Sequence, residues 1–90
     1  MANFLIVDDS RTSRRILRGI LEQAGYTVIG EATNGQEAYD KYVELQPDIV
    51  TMDITMPVLD GIGGLKKIKD AYPESKVVMV TAAGQKNKMV

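Results

Sequence analysis

The sequence predicts an α/β domain built on a parallel sheet, and three observations carry that prediction. Short, nearly continuous apolar runs take turns with segments whose apolar residues recur at helical spacing, the pattern of alternating strands and helices. The runs lack the in-and-out alternation of a half-exposed strand, as expected where helices cover both faces of a sheet. No low-complexity linker or internal repeat interrupts the pattern, and 90 residues suit one small domain, residues 1–90. A chain of this size buries only roughly 60 to 65% of its unfolded surface, so its core has little to spare.

Phe4-Leu5-Ile6-Val7 is a short apolar run bounded by polar residues and reads as the first strand. Ile16, Leu17, Ile20, Leu21 and Ala24 then recur at helical spacing, and Gly25 stands where a left-handed cap would end that helix. Tyr26 to Ile29 begins a second strand. Asn34 followed by Glu37 resembles a capping box, opening a second helix that carries Ala38, Tyr42 and Leu45 until Pro47 forbids continuation. Asp48 to Asp53 is the third strand, Ile62, Leu65 and Ile68 mark a third helix ending near Pro73, and Val77 to Val80 is the fourth strand. Gly61, Gly63 and Gly64 each cost about 0.5 to 1 kcal/mol relative to alanine within a helix, so the third helix either starts late or leans on tertiary packing. From Gln85 a fourth helix begins.

The charge balance narrows the function classes. A formal net charge of −1 with 26% charged residues gives no electrostatic case for nucleic acid or an anionic membrane as partner. There is no cysteine, which excludes disulfides, thiolate metal sites and cysteine nucleophiles, and no histidine. Met1-Ala2-Asn3 opens no signal-like segment, and no apolar stretch approaches the roughly 18 residues of a membrane helix. The chain reads as soluble and cytoplasmic.

In an open α/β sheet, ligands bind beyond the carboxyl ends of the strands. Those ends supply Asp8-Asp9, Glu31, Asp53 and Thr81. Taken alone, Asp8-Asp9 also reads as a solvated turn in which an aspartate or Ser10 caps the next helix. Asp53 weakens that reading, because a third carboxylate arrives at a matching strand end, and clustered carboxylates repel unless a cation neutralises them. Mg2+ suits hard oxygen ligands of this kind, often one or two carboxylates plus a phosphate. A carboxylate is also a nucleophile toward phosphorus, and an anion attacking a phosphoryl group needs a cation to offset the repulsion. Thr81 is in place to donate its hydroxyl to a phosphoryl oxygen, although a lone threonine there is more often a strand or cap residue.

Four stretches together resemble the response-regulator receiver domains, and among them the stand-alone chemotaxis members. They are Phe4-Leu-Ile-Val-Asp-Asp-Ser10, Gly30-Glu-Ala-Thr-Asn-Gly35, Pro47-Asp-Ile-Val-Thr-Met-Asp-Ile-Thr-Met-Pro57 with Asp60-Gly61, and Val80-Thr-Ala-Ala-Gly84. The similarity runs the length of the chain. It implies a flavodoxin-like, doubly wound parallel sheet of order 2-1-3-4, lacking the fifth strand and fifth helix. It also implies that Asp53 accepts a phosphoryl group from a sensor histidine kinase, which fits a chain without histidine. Asp9, Asp53 and the backbone carbonyl of Thr55 would ligate Mg2+, Asp8 would orient metal-bound water, and Thr81 would be the switch hydroxyl. A flagellar motor switch protein is one implied output partner.

The resemblance also sets a departure. Family members run on to about 120 residues, and the strand-five lysine, the aromatic switch residue and the fifth helix all lie in that further stretch. Lys86 and Lys88 follow strand four in a different element and do not take the lysine's place. An edge strand four and a half-bare sheet face would favour a homodimer or a swapped oligomer, so an assembly module is the alternative reading. A haloacid-dehalogenase-type hydrolase would want a second aspartate at position 55, which is threonine. No Walker loop occurs, and Gly61, Gly63 and Gly64 fail the dinucleotide spacing because position 66 is lysine.

Overall fold

Seven elements alternate through the computed structural model, which describes residues 2–53 and 61–80. They are β1 (Asn3–Val7), α1 (Arg11–Gln23), β2 (Thr27–Ala32), α2 (Gly35–Leu45), β3 (Ile49–Asp53), α3 (Gly61–Ala71) and β4 (Val77–Val80). All strand pairings are parallel and the order is β2-β1-β3-β4, as the sequence predicts. The helix expected from Gln85 lies outside the described residues.

The apolar runs are continuous because the two faces of each strand feed different cores. Along β1, Phe4 and Ile6 join Val28 on the side covered by α1, with Leu17, Leu21 and Ile49 packed against them. Leu5 and Val7 face the other way, into a cluster with Ala32, Ala38, Tyr42, Val50, Met52 and Ile68 under α2 and α3. Five of those side chains, Leu5, Val7, Val50, Met52 and Ile68, are essentially inaccessible to solvent, so truncating any one of them would cost about 2–5 kcal/mol.

The register holds one irregularity with consequences for the site. Phe4 pairs with Val28 but Leu5 pairs with Gly30, so Ile29 is an extra residue in β2. The bulge inverts the two-residue alternation, and Glu31, paired with Ile6, comes out on the α1 side.

Helix ends follow local chemistry. The Ser10 hydroxyl caps α1 by accepting from the Ser13 N–H (3.2 Å), and Asn34 caps α2 by accepting from the Glu37 N–H (2.8 Å). The Glu37 carboxylate reaches back to the Thr33 N–H (2.8 Å), one residue further than the usual capping box. Gly25 has φ 95°, the left-handed conformation predicted for it. The matching position after α2 is Gln46, at φ 49°, held because its side-chain amide donates to the Tyr42 and Val43 carbonyls.

Of the two readings of the third helix, a late start and a dependence on tertiary packing, the structure bears out the second. The third helix runs from Gly61, so its glycines are helical; Gly64 is buried where α2 and α3 touch, and a Cβ there would stand 2.9 Å from the Gly35 Cα and 3.0 Å from the Met52 Sδ. Close approach compensates for the poor helix propensity at that position. In α1, no residue is buried, and Ile16 and Ile20 are 59% and 57% exposed. The helix lies over β1 and β2 on Leu17 and Leu21, leaving its other flank open. Val78 of the edge strand β4 is also exposed.

Candidate functional site

Parallel neighbours with Val7 opposite Met52 place the next residues, Asp8 and Asp53, side by side at the carboxyl edge of the sheet. Asp9 follows, and one carboxylate oxygen from each of the three lies within 4.8 Å of the others. Asp53 is buried, Asp8 half-buried and Asp9 exposed, so the cluster opens outward from a desolvated floor. Among the described residues this is the group of acidic side chains able to hold a metal ion.

Local bonds hold Asp8 in place. The Asp8 N–H donates to the Ala32 carbonyl (3.0 Å), extending the β1–β2 ladder by one residue, and the Ser10 N–H donates to Asp8 Oδ1 (2.8 Å). The turn that presents the acids therefore also starts α1. Burial pushes the Asp8 carboxyl above its ordinary range, the negative charges of Asp53 and Asp9 push it further, and the Ser10 N–H pulls partly back. A site whose own charges favour protonation is one that a cation relieves. Three hard oxygen donors with one open side fit Mg2+ in kind.

Glu31 does not join the cluster, contrary to the expectation from its strand end. It accepts from Arg14 Nε (2.8 Å) and Arg18 Nη1 (2.5 Å) beside α1. Burial opposes its charged form, but the two guanidinium groups outweigh that and hold its carboxyl below the ordinary range. Arg14 also donates to the Asp8 carbonyl (2.7 Å), so one side chain ties β2, α1 and the acidic turn together. Sequence reasoning missed Arg14; its signal was the spacing of Arg11, Arg14, Arg15 and Arg18 along one helix. Thr55 and Thr81 lie outside the described residues.

With this geometry in hand, residues 4–90 match the family model for the response regulator receiver domain. The chain belongs to that family. This receiver domain is 54% identical over 81 residues to chemotaxis protein CheY of Thermotoga maritima, a match covering 90% of this chain and 68% of that protein. The crystal structure of the response regulator domain of Thermotoga maritima CheB superposes with a TM-score of 0.86 at 43% identity, covering 90% of this chain and 60% of that one. A CheX-CheY-BeF3-Mg2+ complex from Borrelia burgdorferi gives a TM-score of 0.88 at 39% identity, with 97% and 66% coverage. The receiver domain thus spans 60–66% of these two solved chains. Receiver domains are parts of two-component signalling systems, and relatives named CheY link this one to chemotaxis. No helix among the described residues is long and apolar enough to cross a membrane.

Proposed function

We propose that this chain is a phosphoacceptor switch of chemotaxis signalling in which Asp53 receives a phosphoryl group from the phosphohistidine of a sensor kinase. The observation that carries the reading is the buried Asp53 with Asp8 and Asp9 oxygens within 4.8 Å of it. In the transfer, an Asp53 oxygen forms the new bond to phosphorus while the phosphorus–nitrogen bond of the donor breaks. The imidazole nitrogen leaves with the electron pair and takes up a proton. Burial strips water from the nucleophile and keeps it from competing as acceptor. Asp9 and Asp53 would hold Mg2+ with the Thr55 carbonyl, Asp8 would orient its water, and the Thr81 hydroxyl would receive a phosphoryl oxygen. Bound Mg2+ supplies positive charge against the repulsion between carboxylate and phosphoryl group.

The relative crystallised with BeF3 and Mg2+ supports this site, and the CheX in that complex supports binding to a partner protein. A flagellar motor switch protein is the partner whose binding the phosphorylated form would alter. The test is thermal unfolding with Mg2+ and with beryllofluoride added, on wild type and Asp53→Asn, together with intact mass after acetyl phosphate. The wild type should gain stability in both additions and one phosphoryl group, and Asp53→Asn should lose the beryllofluoride response and the label. A labelled Asp53→Asn protein would overturn the assignment.

A further inference from the structure

One flank of α1 carries a charge pattern that the phosphoacceptor site does not use. At 100° per residue, Arg11, Arg14, Arg15 and Arg18 fall within about a third of the helix circumference, on the side next to β2. With Glu31 they line an open recess of about 570 Å³, four guanidinium groups to one carboxylate, on a chain whose net charge is −1. Arg14 and Arg18 are held by Glu31, and Arg18 also by Glu22. Arg11 and Arg15 are exposed and have no hydrogen-bond or ion-pair partner among the described residues. No acidic residue stands in the first turn, where the helix dipole favours anions and disfavours cations. Arg11 in that turn therefore gains nothing from the helix dipole, whereas Arg15, in the second turn, lies beyond its reach.

We infer that this flank is a docking surface for an acidic segment of a partner protein, whose carboxylates engage Arg11 and Arg15 one helical turn apart. Charge complementarity selects that occupant. Ile16 and Ile20 lie on the far flank of the helix and take no part. Glu31 acts as an internal competitor: it occupies Arg14 and Arg18 and limits the incoming segment to the two arginines left open. The surface goes beyond the phosphoacceptor reading and does not require Asp53.

The probe is a blocked synthetic peptide of about 16 residues, near the length at which an isolated helix becomes stable, with glutamates in i,i+4 pairs on an alanine and glutamine background. Binding is measured by fluorescence anisotropy at low and moderate salt, on wild type and on Asp53→Asn to keep the two readings separate. The Arg11→Gln/Arg15→Gln double variant should bind about tenfold more weakly, as for the loss of two exposed ion pairs. Glu31→Gln should bind about threefold more tightly, because a rim charge of the wrong sign is gone. A fold that merely loosened would not gain affinity. Equal affinity of the arginine double variant, weaker binding by Glu31→Gln, or equal binding of a peptide with the same composition and scattered glutamates would each overturn the proposal. So would self-association abolished by the arginine double variant, which would give the surface to a second copy of the chain.

Discussion

Replacing Asp8 by asparagine should stabilise this protein in the absence of divalent cations. The three carboxylates lie within 4.8 Å of one another. Two unit charges at that separation repel by about 0.9 kcal/mol in bulk water and about 3.5 kcal/mol at an effective dielectric of about 20. Asp9 is exposed, so its share lies near the lower figure; Asp53 is buried, so its share lies above it. The asparagine oxygen can still accept from the Ser10 N–H, and Arg14 donates to the main-chain carbonyl, so neither contact is lost. Losing the attraction between the Asp8 charge and the nearby Arg14 guanidinium offsets part of the relief, which leaves a net gain of about 1–2 kcal/mol. The assay is urea unfolding at neutral pH with EDTA, repeated with Mg2+. The variant should be the more stable protein in EDTA, and should gain less than wild type from Mg2+. The pH dependence has a definite sign. Asp8 titrates above its ordinary value in the folded state, so the folded protein binds the proton more readily; that stability is present below the unfolded pKa and lost as pH rises through the raised folded value. Asp8→Asn lacks this decline. If it were destabilised in EDTA with an unchanged denaturant slope, like-charge repulsion would not be what governs the cluster.

The same Gly-to-Ala change should have opposite effects at two helix positions. Gly19→Ala meets nothing within 4 Å and should stabilise by about 0.8–1 kcal/mol, whereas Gly64→Ala collides with the Gly35 Cα and the buried Met52 and should destabilise by about 1–2 kcal/mol in urea unfolding. Asn34→Ala, which removes the α2 cap, should cost about 1 kcal/mol in the same assay. Donation by the Thr33 N–H, and then by its hydroxyl, holds the Glu37 carboxyl below its ordinary range, so its stabilisation is present above the unfolded pKa and lost as pH falls through the lowered folded value. Comparing wild type with Glu37→Gln between neutral and acid pH should show that loss in wild type alone, with a slope opposite to that of Asp8.

The strands and the acidic cluster were legible because both follow from local signals. Phe4 to Val7 and Ile49 to Asp53 are apolar runs ending in acid, and parallel pairing alone carries their ends to one edge. What escaped depended on contacts remote in sequence. The spacing of Ile16 and Ile20 states that they share a helix face, and nothing local states that α1 leaves that face open. Gln46 is a different case, a local one: its own amide satisfies the Tyr42 and Val43 carbonyls behind it, which lets a residue other than glycine hold a left-handed cap. Glu31 was misplaced because a bulge is a property of two strands and leaves no mark in the sequence of one.

That extra residue absorbs a change of length without disturbing what lies beyond it. Deleting Ile29 would leave Val28 opposite Phe4, Gly30 opposite Leu5 and Glu31 opposite Ile6, so the acid would stay on the α1 side. Arg14 would keep its carboxylate and the acidic turn its brace. A descendant of this chain can therefore drop the insertion without moving its acid, whereas keeping Ile29 and pairing it regularly with Leu5 would turn position 31 under α2.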